Sequence, residues 1–214
     1  MNTEAQLGLG WTGRVMQLLN AACTLVLVNL LFAAGTLAGL GVLGIMPAGA
    51  AAASVLLRDS TTLEREGGAT RVFVRAYRRS FLRANLAGIP FLAAAALLAA
   101  DALVLPRLTG PAAAVLTTLT VAIALAALLT GIVVVTLLER YDDPPAALLR
   151  YAVTVTLTSP ATGAGVVVAL AACGLIALAV PVFAPLAGAS VPLAIAVRLI
   201  DRRLAHLDPA HPNH

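Results

Sequence analysis

The sequence predicts an all-α polytopic bundle in a membrane, with about six membrane segments and one amphipathic helix outside them. Three observations carry that prediction. The 214 residues are 60% hydrophobic and only 11% charged, against about 25% charged in ordinary soluble domains. The mean hydropathy is +0.96, so hydrocarbon rather than water is the expected solvent for most of the chain. The apolar residues also fall in long runs divided by short charged loops, with no fixed repeat period. The whole chain, 1–214, reads as a single membrane domain.

The first element is a mixed polar stretch, residues 1–15, with Trp11 and Arg14 placed as an interfacial anchor and a flanking charge. The segment "LFAAG" resembles a signal-peptide cleavage site, but the apolar pattern continues past it and recurs down the chain. Residues 16–57 carry no charge. As a helix they would reach about 63 Å, roughly twice a 30 Å hydrocarbon core, so a turn must fall near the middle. The middle is "GLGVLGIMPAG", and Gly39, Gly41, Gly44 and Pro47 are its turn and breaker residues. The second arm, about residues 41–57, would span only about 26 Å.

The polar loop 58–83 follows, then apolar residues 84–105, the short "PRLTGP", and the apolar run 112–138. After "ERYDDPPAALLR" comes a fifth apolar run, 151–180, with Pro160 inside it. "PVFAPLAGASVP" breaks the pattern, and residues 193–200 lead into "RLIDRRLAH". The second and sixth segments are short or broken, and either reads as an arm of a half-membrane hairpin. Residues 205–214, with His206, His211 and His214, read as a disordered tail without metal-ligand spacing.

Gly39 to Gly44 also spell G-x-G-x-x-G, the dinucleotide fingerprint. That motif works after a buried strand and before a helix N-terminus. Here about 23 apolar residues precede it, too many for a strand. Glu64 lies about where a ribose-binding acid would, but within the charge cluster "LEREGG". The expectation is a membrane turn, no cofactor and no nucleotide-dependent oxidoreductase.

All 14 basic residues are arginine. The pI of 9.8 could point to nucleic acid, but the arginine positions trace a topology instead. With loop 58–83 on the cytosolic side, 13 arginines lie inside and Arg107 alone outside, as the positive-inside rule requires. Both termini are then cytoplasmic.

Within the loop, Arg71, Arg75, Arg78, Arg79 and Arg83 fall in an arc of about 140° on a helical wheel, and Phe73, Tyr77 and Phe81 fall opposite. This pattern fits a helix on the cytosolic leaflet, with aromatics at the acyl boundary and arginines toward anionic headgroups. It also fits a docking surface for a cytosolic partner.

No crossing carries an acid, lysine or arginine at mid-membrane, where ion-coupled carriers place such groups. Asn29 and Asn85 read as interhelical hydrogen-bonding residues. Cys23 and Cys173 read as small apolar residues. No His lies in the membrane region, and neither a nucleophile-elbow motif nor a Walker loop occurs. The expectation is a non-enzyme with no metal site and no nucleic-acid partner. A homo-oligomer is left open.

"NLLFAAGTLAGLGVLGIMPAGAAAASVLLRD" followed by "GGATRVFVRAYRRSFLRANLAGIP" resembles the YesL-like family of bacterial membrane proteins. The shared pattern is Asn29 in the first crossing, Pro47-Ala48 before a small-residue helix, and an Arg/aromatic segment opening the third crossing. The resemblance covers roughly residues 16–90. The family has no established activity, so it implies no catalytic residues. Its genes often lie beside those of carbohydrate ABC transporters and glycosidases, which implies an accessory role in sugar uptake, with transporter components as partners. A permease subunit in its own right is the alternative. "EGGATRVFVRAYRRS" could then be a helix offered to an ATPase, though it lacks the acidic-Ala-Ala opening and the closing Pro of such helices.

Overall fold

The computed structural model describes residues 11–180 and 186–207. Among them there is no strand. The helices are α1 (Trp11–Ala38), α2 (Val42–Leu56), α3 (Ser60–Arg65), α4 (Ala69–Val104), α5 (Pro111–Arg140), α6 (Pro145–Thr158), α7 (Pro160–Ala179) and α8 (Ser190–Leu207). A single 3₁₀ turn, Leu105–Arg107, follows α4. Proline opens α5, α6 and α7, where its missing N–H is one of the donors a helix start leaves unbonded anyway. Asp59 caps α3 by accepting from the Thr62 N–H at 3.3 Å.

Among the described residues, four helices are long and apolar enough to cross a membrane: Leu18–Ala38, Ala69–Arg107, Pro111–Arg140 and Pro160–Ala179. The chain is built as a helical membrane protein. The two segments expected to be short or broken are α2, with 15 residues, and α8, which begins only at Ser190.

Several boundaries differ from the sequence expectation. Helix begins by Trp11 rather than at residue 16, and α8 carries helical backbone through Leu207, three residues into the expected tail. The expectations for residues 1–10 and 208–214 lie outside the described residues. The fifth segment is two helices, because Pro160 displaces Ser159 from helical geometry (φ −127°, ψ 59°). The amphipathic segment and the third crossing are one continuous helix, α4, of 36 residues.

The α1–α2 turn is narrower than its four expected residues. Leu40 takes a left-handed φ of 58°, and Gly41 has φ 79° and ψ −84°. The Val42 N–H donates to the Leu40 carbonyl at 3.1 Å, which closes a γ-turn of the rare, strained hand. Gly39 forms part of the turn. Gly44 and Pro47 belong to α2 instead. Pro47 lies in its second turn, where the cost is one lost backbone bond. Gly44 acts by close approach: a Cβ there would collide with the Thr36 carbonyl oxygen and sit 2.6 Å from Thr36 Cα. What precedes the G-x-G-x-x-G spelling is a 28-residue helix, so the strand of a dinucleotide site is not present.

α2 is the centre of the bundle. It packs on α1, α4, α5 and α8. Every residue from Pro47 to Leu56 is buried, and none from Ala48 to Ser54 is larger than serine. Ala50 and Ala53 face one apolar cluster with Ala84, Ala87, Val134 and Leu137. Ala48, Ala51, Ala52 and Val55 face a second with Val28, Val72 and Phe73. In α4 and α5 the buried stretch stops level with the start of α2. α4 beyond Gly88 and α5 before Ile132 have no buried residue, and Leu97, Leu103 and Val115 are about 70% exposed. That half of the α4–α5 pair faces the surrounding hydrocarbon.

Replacing Leu40 with Gly is expected to relieve the left-handed strain and raise stability by up to about 1 kcal/mol. Gly44→Ala is expected to lower it by about 2 kcal/mol or more, through overpacking against backbone. Thermal unfolding of the detergent-solubilised variants checks both signs.

Candidate functional site

The two polar loops that the sequence separates by some 55 residues meet at one end of the bundle. Arg58, just past the end of α2, ties them together. Its Nη1 donates to Glu139 Oε1 at 2.9 Å and also to the Ser54 carbonyl, and its Nε donates to Glu66 Oε1 at 3.0 Å. Burial works to lower the Arg58 pKa. The hydrogen bonds and charges of Glu139 and Glu66 outweigh it and leave the pKa raised, so the guanidinium stays charged at every accessible pH.

The arginine face of α4 divides into two groups. Arg75, Arg79 and Arg83 turn toward acids on neighbouring elements. Arg75 lies 3.6 Å from Glu66 Oε2. Arg79 and Arg83 both donate to Asp142 Oδ1, at 2.6 and 2.8 Å. Arg83 also donates to the carbonyls of Tyr141 (2.8 Å) and Asp143 (3.1 Å), so it clamps the α5–α6 connection onto α4. Between these groups lies a polar crevice of about 140 Å³, with Arg58, Glu66, Arg79, Arg83 and Glu139 in its walls. Arg71 and Arg78 are exposed and, with Arg75, Gly67, Thr70 and Val74, line a shallow depression. Neither makes an ion pair among the described residues.

The aromatic side differs from the expectation of a helix lying on a leaflet. Phe73 is buried in the cluster shared with α1 and α2. Tyr77 packs against that cluster and donates its hydroxyl hydrogen to the Gly35 carbonyl at 2.8 Å. Phe81, 37% exposed, extends the stripe by a tilted contact with Tyr77 at 5.6 Å. These rings cover the small side chains of the α1–α2 hairpin, so much of their apolar area is spent inside the protein.

The two asparagines also separate. Asn29 is buried, and its Oδ1 accepts from the Ala189 N–H at 3.0 Å, linking α1 to the residue before α8. Asn85 is not interhelical: its Nδ2 donates to Phe81 O of its own helix at 2.8 Å. Cys23 and Cys173 are free thiols, one exposed and one buried. No group of three His, Cys, Asp or Glu residues able to hold a metal occurs among the described residues.

The acids that organise this end were not singled out by sequence. Glu66 reads there as part of a solvated cluster, yet it bridges Arg58 and Arg75. The most buried ion pair among the described residues, Arg140–Asp201 at 3.0 Å with side chains 7% and 16% exposed, joins α5 to α8 across 61 residues. The available signal was compositional: acids and arginines mix in "LEREGG", "ERYDD" and "RLIDRR" and nowhere inside an apolar run.

Arg58→Ala is expected to cost about 2 kcal/mol, because it leaves two partly buried carboxylates facing each other. Arg78→Ala should stay within about 0.5 kcal/mol. The pH response has a definite sign. Hydrogen bonds from Arg79 and Arg83 hold the Asp142 pKa below the ordinary carboxylate range. Hydrogen bonds from Thr61 and Thr62 bring Asp59 to about 2. A depressed folded pKa contributes stability above the unfolded pKa, about 3.9, and loses it as pH falls through the folded value. The difference in melting temperature between wild type and Asp142→Asn should therefore be flat from pH 7 to 5 and shrink below about 4.

Neither a curated protein nor a solved structure matches the chain. Residues 25–102 match the model of a family described as "Protein of unknown function, DUF624". The matched stretch runs from within α1 to near the end of α4, and so contains Asn29, the α1–α2 turn, Arg58 and the entire arginine face.

Proposed function

We propose that the chain is a multi-pass protein of the bacterial plasma membrane, with its arginine-rich end and both termini in the cytosol. In this reading it is a non-enzymatic accessory to carbohydrate uptake by ABC transporters, docking on them or on anionic headgroups through α4. The observation that carries the docking reading is the division of the arginine face. Arg75, Arg79 and Arg83 each pair with an acid of the protein itself, while Arg71 and Arg78 make no ion pair among the described residues and line, with Arg75, a shallow depression. An Arg with no internal partner keeps its planar donor fork for a carboxylate or phosphate. The orientation is supported by the 13-to-1 arginine split. The link to sugar uptake is supported by the YesL-like resemblance of residues 16–90.

Two experiments test the proposal. Cysteines placed at Thr61 and Thr109 should differ in intact cells: an impermeant thiol reagent should label Thr109→Cys and spare Thr61→Cys, and the reverse would invert the topology. Capture from native membranes with mass spectrometry should recover transporter components. Arg71→Lys with Arg78→Lys should reduce that recovery several-fold without lowering the amount of protein in the membrane. Undiminished recovery would mean that a point charge suffices and the docking is generic.

A further inference from the structure

A cavity of about 420 Å³ lies beside the first two turns of α2, walled also by α1, α4, α5, α7 and the start of α8. Ala124, Ala127 and Leu128 line it, and they sit at the middle of the Pro111–Arg140 span. The cavity exists because side chains are missing. Gly49, Ala95, Ala124, Ala127 and Gly131 leave its walls bare, and Phe32 and Phe91 contribute rings. Residues 124, 127 and 131 repeat at helical spacing on one face of α5, so the space is elongated along that helix. Its lining side chains include no charged group, hydroxyl or amide. Ile45 and Leu128, on its rim, are 46% and 47% exposed on the hydrocarbon-facing surface.

We infer that this cavity holds a hydrocarbon chain, the acyl tail of a bilayer lipid. Water needs two to four polar partners to occupy a buried space, and the lining side chains offer none. A polar solute would lose its hydration without replacement. The Ala189 N–H, at the start of α8, is already taken by Asn29 Oδ1. An empty space of this size forfeits dispersion contacts on every wall. The rim opens onto the phase in which acyl chains are the solvent, and the elongated shape matches a linear chain rather than a compact ligand. This inference requires only that the chain crosses the membrane. It is independent of which end faces the cytosol and of any docking on α4.

The test uses the full chain reconstituted in phosphatidylethanolamine–phosphatidylglycerol vesicles containing a phospholipid with a diazirine midway along one acyl chain. After illumination, peptides carrying residues 91–98 and 124–132 should be labelled. Ala127→Phe fills the cavity and should cut their labelling at least five-fold, and Ala127→Leu should cut it by an intermediate amount. Ala122→Phe, on α5 but outside the lining, should leave it unchanged. Labelling around Val115 and Leu103, on the outer surface, should be equal in all variants and reports folding and insertion. If Ala127→Phe does not reach the membrane, the Ala127→Leu result decides. Labelling of the cavity peptides that neither substitution reduces would overturn the inference, leaving ordinary annular contact. So would disulfide capture of a second copy through Ile45→Cys and Leu128→Cys, because protein rather than lipid would then cover the cavity.

Discussion

The close approach of α2 to four other helices is the constraint on which the rest of this structure depends. Between helices in hydrocarbon there is little hydrophobic drive, so association rests on van der Waals contact and on a few polar links. A helix whose residues 48–54 are Ala, Gly and Ser brings backbone against backbone and multiplies such contacts. It also demands a tight return from α1, which is where Leu40 and Gly41 adopt unfavourable dihedral angles. Strain in the turn and the packing of α2 are two sides of one requirement. The helix is too short to cross a membrane at full width, and it is stable because it is enclosed.

The charged end is the complement of that apolar centre. Arg58 leaves α2 and is met at once by acids from the α3–α4 connection and from the end of α5. Arg83 fixes the α5–α6 connection, and Arg140 with Asp201 fixes α8. Each link joins elements that the apolar core has already brought close, so the ion pairs set orientation more than they supply net stability, as desolvation offsets much of the Coulomb gain. The outcome for function is selective. Arg75 and Arg79 remain 61% and 67% exposed while paired, and Arg71 and Arg78 are the two arginines of the α4 face that make no ion pair among the described residues.

Away from the charged end the bundle opens. α4 and α5 continue past α2 with little covering them, and the aromatic stripe that could have anchored α4 on a leaflet is turned inward over the hairpin. The apolar cavity lies beside the first turns of α2, where Gly49, Ala95, Ala124, Ala127 and Gly131 leave the walls bare.

The helical membrane character was legible from composition and run length alone. So were the break near residue 40, the short second and sixth segments, and the amphipathic pattern of residues 69–83. These are local properties: hydropathy, periodicity and the backbone limits of Gly and Pro act over a few residues, whatever the chain does elsewhere. Three things were decided only by the tertiary structure. Pro47 sits within a helix because α2 is enclosed on all sides. Phe73 and Tyr77 face α1 and α2 because a wheel shows which side of a helix is apolar but not whether lipid or protein lies against it. Glu66 and Asp142 select three of the five arginines, Asp142 through contacts between residues 59 and 63 positions apart. Pairings at that distance follow from which helices share an end of the bundle, and no pattern within a single segment carries that information.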